Sequence, residues 1–171
     1  TELVIADSEH PAGLAGIMGG LETEVTEKTT TVVFEAASFN SASIRRTARA
    51  CGLHSEASGR FERGIDIKNT VRALDRAAQL LQEMGACEVA EGVVDVYPSP
   101  REETKIFFTA DDINRRLGTE IAASEMKQIL TALGFGIEAQ GNELCARVPS
   151  WRGDCTLMED LSEEIARIRG F

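Results

Sequence analysis

Stretches of alternating or uniformly apolar residues give way several times along this chain to apolar residues at helical spacing, and each change marks an element. "ELVIAD" (2–7) and "TVVFEAA" (31–37) are β-branched and apolar enough to read as strands. Between them, "HPAGLAGIMGG" (10–20) reads as turns. Its Gly13, Gly16, Gly19 and Gly20 let the backbone reach positive φ or approach a ligand closely. Without a Gly-Lys-Ser/Thr ending it is not a nucleotide phosphate loop. Residues 41–51 predict a short helix capped by Ser41. In "NTVRALDRAAQLLQEMG" (69–85), Val71, Leu74, Ala78 and Leu81 share a helical face, and Gly85 supplies the stop. "EVAEGVVDVY" (88–97) returns as a strand.

"YPSPREE" (97–103) interrupts the pattern with two prolines, a serine and three charges, so regular structure should stop there. This divides the chain into residues 1–98, a linker at 99–104, and a second domain at 105–171. In the second domain "TKIFFT" predicts a short strand, and Thr109 with Asp112 predicts a helix start that runs to Gly118. Ser124 is read as the cap of a helix with apolar face Met126, Ile129, Leu130 and Leu133, ending at Gly134. "GIEAQ" and "ELCARVP" flank "GN", a hairpin signal. The last helix carries Leu157, Leu161, Ile165 and Ile168 at helical spacing. The fold class expected is α+β: a mixed sheet-and-helix portion followed by a small winged-helix-like domain.

Composition changes this picture little. Of 171 residues, 43% are apolar and 27% charged, as in ordinary globular domains. No apolar run is long enough to span a membrane, no signal peptide stands at the N-terminus, and the opening at Thr1 in mid-strand suggests a piece of something longer. Cys51, Cys87, Cys145 and Cys155 are irregularly spaced and distant from His10 and His54, so reduced thiols in a cytoplasmic protein are expected rather than zinc ligands. A net charge of −10 disfavours wholesale nucleic-acid binding, but the charge is uneven. Residues 1–40 hold seven acids and one lysine, whereas eight basic residues face four acids between Arg45 and Arg76. That island could meet a phosphate backbone or be a solvated helical surface.

Three stretches could carry chemistry. In "RGDCTLMEDLSEEIARI" five of the eleven residues from Asp154 to Glu164 are carboxylates. On a helix Asp160, Glu163 and Glu164 share a face, and Asp154 can fold back toward it. Clustered carboxylates suit a hard cation such as magnesium. Equally, acids complement the positive end of a helix dipole, and Glu163 can pair with Arg167; spacing alone favours this structural reading over a metal. The Arg-Gly-Asp tripeptide carries little weight. Glu35 interrupts an otherwise apolar strand, so it either faces solvent by alternation or lines a pocket. "GLHSEASGRFERG" (52–64) could present hydroxyls and amides to a ligand or be a plain connection; His54 has no recognisable triad partner.

Taken in order, "GIMGG", "FEAASFNSASIRRTAR", "GLHSEASGRFERGID" and "PSWRGDCTLMEDLSEEIARIRGF" resemble the beta subunit of bacterial phenylalanyl-tRNA synthetase across essentially the whole chain. The resemblance implies that residues 1–98 are the C-terminal portion of a tRNA-editing module and 105–171 the small domain after it. It implies an editing pocket that includes Gly19, Glu35, Ser55 and Ala57 and hydrolyses mischarged tyrosyl-tRNA. Some relatives carry threonine at Ser55, and proline is frequent at Ile67. The resemblance further implies a magnesium ion held by Asp154, Asp160, Glu163 and Glu164 and shared with the alpha subunit. The partners implied are that subunit, in an α2β2 heterotetramer, and phenylalanine tRNA, with ATP used at the alpha subunit. The family's editing histidine lies in an upstream "HAFD" segment that this chain lacks, so the chain alone should be inactive. The competing reading is a non-catalytic nucleic-acid-binding protein.

Overall fold

The structure is a computed structural model that describes residues 2–141 and 143–170. It divides into two units, residues 1–93 and 94–171.

The first unit opens with a three-stranded antiparallel sheet in the order β1-β2-β3, where β1 is Val4–Ala6, β2 Pro11–Leu14 and β3 Met18–Gly19. Asp7 turns β1 into β2: its Oδ1 accepts from the amides of Glu9 and His10, both at 2.7 Å. The glycine-rich stretch read as turns thus supplies two strands. Gly13 sits opposite Gly19, and a Cβ at Gly13 or Gly20 would strike the Met18 carbonyl at 2.9 Å or the Ala12 carbonyl at 2.6 Å. These glycines let the strands lie close.

Three helices follow: α1 (Ser41–Cys51), α2 (Glu56–Phe61) and α3 (Thr70–Glu83). The cap of α1 is Asn40, not Ser41; its side-chain oxygen accepts from the Ser43 amide at 3.0 Å. Ile44 and Ala48 of α1 pack with Ile17, Leu14, Phe39, Leu53 and Phe61 in a small core, where Phe39 and Phe61 meet edge to face at 4.9 Å. α3 has an apolar side, but none of its residues is fully buried.

Two expected strands do not form. Residues 31–37 and 88–97 form no strand, with Val33 93% and Val94 94% exposed. Their β-branched composition suits a strand, but no strand among the described residues pairs with them. Composition sets a preference, and pairing decides.

The second unit has the larger core. β4 (Lys105–Phe108), α4 (Ala110–Leu117), α5 (Ala123–Ala132), β5 (Gly136–Gln140), β6 (Glu143–Arg147) and α6 (Met158–Arg169) follow in order. The sheet runs β4-β6-β5 with both pairings antiparallel. One strand, two helices and a hairpin whose second strand pairs back to the first make a winged-helix-like α+β arrangement. Ile106 and Phe108 alternate inward from β4 and meet Ile113, Met126, Leu130, Phe135, Leu161 and Ile165.

Thr109 caps α4 as expected, accepting from the Asp112 amide at 3.1 Å and donating to the Asp112 carboxylate at 2.6 Å. Ser124 does not cap α5; the cap position is Ala122, whose carbonyl accepts from the Glu125 amide. The β5–β6 turn holds Gly141, while Asn142 of the "GN" signal lies outside the described residues. On α6, Leu161 and Ile165 are buried as the spacing predicts, but Leu157 and Ile168, at the two ends, are exposed. No helix among the described residues is long and apolar enough to cross a membrane.

Gly16 has a φ of +68°, and a Cβ there would lie 2.7 Å from the Phe39 ring, whereas a Cβ at Gly19 would meet nothing within 4 Å. Gly16→Ala should therefore cost about 1–3 kcal/mol in urea unfolding of the first unit. Gly19→Ala should stay within about 0.5 kcal/mol. Equal costs would contradict this packing.

Candidate functional site

In the first unit a single hydroxyl ties the segment after α1 to the glycine strands. Ser55 is the N-cap of α2: its Oγ accepts from the Ser58 amide at 3.1 Å, and the Ser58 Oγ accepts from the Ser55 amide at 2.9 Å. This reciprocal capping satisfies two amides of the helix start. The Ser55 Oγ also donates to the Ile17 carbonyl at 2.6 Å. The loop that could have been an irregular connection is therefore a helix docked two residues before Gly19. Ala57, in the first turn of α2, is exposed, and so is Gly19. Three of the four expected pocket residues, Gly19, Ser55 and Ala57, thus belong to one locality.

Glu35 is placed otherwise. It was expected on a strand, facing solvent or lining a pocket; it stands on a segment with no strand pairing, exposed, with no ion pair among the described residues. No hydrogen bond joins it to Gly19, Ser55 or Ala57 among those residues. Only the strand itself is missing: without pairing, alternation buries neither face of the segment.

In the second unit the organising side chain is Arg152. Its Nε and Nη2 donate to the two Asp154 oxygens at 2.9 and 2.6 Å, and Nη2 also donates to Glu164 Oε1 at 2.9 Å. Its guanidinium carbon lies 5.8 Å from the Phe135 ring centroid. The other Glu164 oxygen accepts from Arg167. Glu164 is only 7% exposed, and a carboxylate that buried is tolerable because two guanidinium groups hold it. Asp160 bonds to backbone instead. Its Oδ2 accepts from the Thr156 and Leu157 amides at 2.7 and 2.8 Å and closes the first turn of α6. Glu163 is exposed.

The electrostatics follow these contacts. The Arg152 hydrogen bonds hold the Asp154 carboxyl down at about 2 and also lower that of Glu164. The Thr156 and Leu157 amides lower Asp160. Burial pushes the Cys155 thiol up to about 11, so it stays protonated and unreactive at neutral pH. All four cysteines are free.

Magnesium needs several carboxylate or water oxygens around one point. Among the described residues no three His, Cys, Asp or Glu side chains gather in that way. Of the four expected ligands, Asp154 and Glu164 face a guanidinium, Asp160 caps a helix, and Glu163 stands in solvent. As arranged here they do not fit a resident metal. Arg152 supplies the positive charge between Asp154 and Glu164. It stands inside "WRGDC", yet sequence reasoning passed over it; an arginine two residues before one acid and twelve before another was the available signal.

Arg152→Met should cost about 3 kcal/mol in the second unit by leaving Glu164 buried without its main partner. Adding Glu164→Gln should recover most of the loss, as a coupled pair requires. Depressed carboxyls contribute stability above their unfolded pKa, near 3.8 for Asp154, and lose it as pH falls through the folded value of about 2. Thermal melts of the parent chain should therefore fall between about pH 5 and 2, and those of the double variant should fall less. Additive costs, or parallel acid profiles, would contradict this coupling.

Comparison with known proteins extends both units. The B3/4 domain family matches residues 1–86, and the tRNA synthetase B5 domain family matches residues 106–171. The chain is 44% identical over 169 residues to the phenylalanine–tRNA ligase beta subunit of Salinibacter ruber, covering 99% of this chain and 20% of that protein. It is 46% identical over 169 residues to that of Moorella thermoacetica, covering 99% of this chain and 21% of that protein. The chain thus spans about a fifth of the length of these relatives. A crystallised N-terminal fragment of the phenylalanyl-tRNA synthetase beta-subunit from Pyrococcus horikoshii is 19% identical, with a TM-score of 0.38 over 43% of this chain and 21% of that chain. The chain is similar over residues 106–171 to the tRNA synthetase B5 domain family and along nearly its whole length to one stretch of phenylalanine–tRNA ligase beta subunits, and through residues 1–86 it belongs to the B3/4 domain family.

Proposed function

We propose that this chain is the part of a phenylalanine–tRNA ligase beta subunit that supports hydrolytic editing of mischarged tyrosyl-tRNA, within an enzyme that attaches phenylalanine to its tRNA at the expense of ATP. The observation that carries this reading is the continuous similarity to such subunits over 99% of the chain. The alpha subunit is the partner that holds the ATP-dependent site, phenylalanine tRNA is the substrate, and the cytoplasm is the compartment. The two-part division is read as an editing-module portion at 1–98, a linker at 99–104 and the small domain at 105–171.

The proposed pocket is lined by Gly19, Glu35, Ser55 and Ala57. The absence of side-chain bulk at Gly19 and Ala57 leaves room for an aromatic ring; a Cβ at Gly19 would meet nothing within 4 Å. Ser55 acts as a positioning residue, because its hydroxyl is occupied by the Ile17 carbonyl and the Ser58 amide. Glu35 provides the discrimination. A carboxylate without an ion pair can accept a hydrogen bond from a tyrosyl hydroxyl, whereas a phenylalanyl ring would leave it desolvated and unpartnered. A magnesium role for Asp154, Asp160, Glu163 and Glu164 requires an arrangement other than the Arg152-bridged one.

In the assembled enzyme, Glu35→Ala should reduce the preference for hydrolysing tyrosyl-tRNA over phenylalanyl-tRNA by about tenfold or more, read as the ratio of deacylation rates. Ser55→Ala should act through stability, lowering the melting temperature. The 171-residue chain alone should deacylate neither ester. An unchanged ratio in Glu35→Ala would remove the specificity role of this carboxylate.

A further inference from the structure

We infer that the solvent face of α1, together with Arg63, is a grip for the phosphodiester backbone of RNA. α1 buries Ile44, Thr47 and Ala48 on one side. At about 100° per residue Arg45, Arg49 and Arg46 fall together on the opposite side, and all three are exposed. The helix contains no acidic residue. Arg45 Nη2 donates to the Glu62 carbonyl at 3.3 Å, and a Cβ on Gly64 would lie 3.8 Å from Ser41 Oγ. The backbone beside Arg63 thus lies close to α1, which puts the exposed Arg63 near these arginines.

Most of the other arginines are paired with carboxylates. Arg60, Arg76, Arg115, Arg116, Arg147, Arg152, Arg167 and Arg169 all have carboxylate partners. Arg46, Arg49 and Arg63 have none among the described residues, nor do Arg72 on α3 and Arg101 before β4, but only the first three gather around α1. A chain of net charge −10 has acids to spare, yet this face stays uncompensated. An uncompensated positive face in an acidic molecule attracts a polyanion locally.

The composition of the face chooses between polyanions. Protein interfaces centre on apolar or aromatic anchors. Here the other outward residues of α1 are Ala42, Ala50 and Cys51, which offer no such anchor. Phosphate contacts need only charge and donors, and guanidinium groups supply both. The choice of RNA over DNA rests on the ligase reading above. The face reads no bases and serves to position the strand.

The test is binding of the chain to a fluorescent tRNA transcript and to poly(U), by anisotropy across a salt series. The variant is Arg46→Ala/Arg49→Ala/Arg63→Ala. The control, Arg60→Ala/Arg115→Ala/Arg147→Ala, removes the same charge from paired arginines. The face variant should lose about tenfold or more in affinity at low salt and reduce the salt slope on poly(U) by about 2, with the control close to wild type. Melting curves confirm that each variant is folded. Equal loss in both variants overturns the proposal, since net charge alone would then govern binding. Unchanged RNA affinity with lost binding to poly-L-glutamate overturns it in favour of an acidic protein. Phenylalanylation by the wild-type alpha–beta assembly reports separately on the ligase reading. Charging with RNA affinity untouched by the face variant overturns the grip alone. No charging with RNA affinity lost overturns the ligase reading and supports the grip.

Discussion

One guanidinium determines how the acidic end of this chain behaves. Arg152 reaches from the loop before α6 to Asp154 beside it and to Glu164 in the helix, while resting near the Phe135 ring. The loop and the helix are thereby locked in register, and Glu164 can stay buried next to Leu161 and Ile165 without an unpaired charge. Asp160 then has only to cap the helix, and Glu163 is free to face solvent. With Asp154 and Glu164 sharing the guanidinium, the four carboxylates are put to the structural use that their spacing alone favours.

The two units differ in how far their order was legible in the residues. In the second, local pattern and final packing agree: Ile106 and Phe108 alternate into a core that Ile113, Leu130 and Leu161 complete, so each apolar stripe finds its partner within a short stretch of chain. In the first, "TVVFEAA" and "EVAEGVVDVY" have the composition of strands and remain unpaired, because pairing needs a neighbour that composition cannot specify. The glycine-rich stretch, read as turns, holds one at 15–17 with Gly16 at a φ of +68°, and short strands flank it. Gly13 and Gly20 suggested turns, but they serve strands lying too close for a Cβ. The cap readings at Ser41 and Ser124 missed by one or two residues, because Asn40 and the Ala122 carbonyl reached the amides first.

The candidate site was legible by residue and not by role. Gly19, Ser55 and Ala57 do fall in one locality, but nothing in "HSEAS" could show that the Ser55 hydroxyl is spent on the Ile17 carbonyl. Glu35 was identifiable as an odd carboxylate among apolar residues, while its exposure depended on a strand that did not form. The basic island was visible as a count of charges. Which of its arginines lack partners is a property of the folded surface, not of the count.

The order of the acidic end depends on the Arg152 bridge, and the most direct probe of that bridge is the side-chain carboxyl of Asp154. Its ¹³Cγ chemical shift, followed by NMR through an acid titration of the chain, should report a midpoint near 2, as a carboxylate held by two guanidinium hydrogen bonds requires. A midpoint at the ordinary value of 3.8 would mean that Arg152 does not hold Asp154, and the ion-pair description of this site would be wrong.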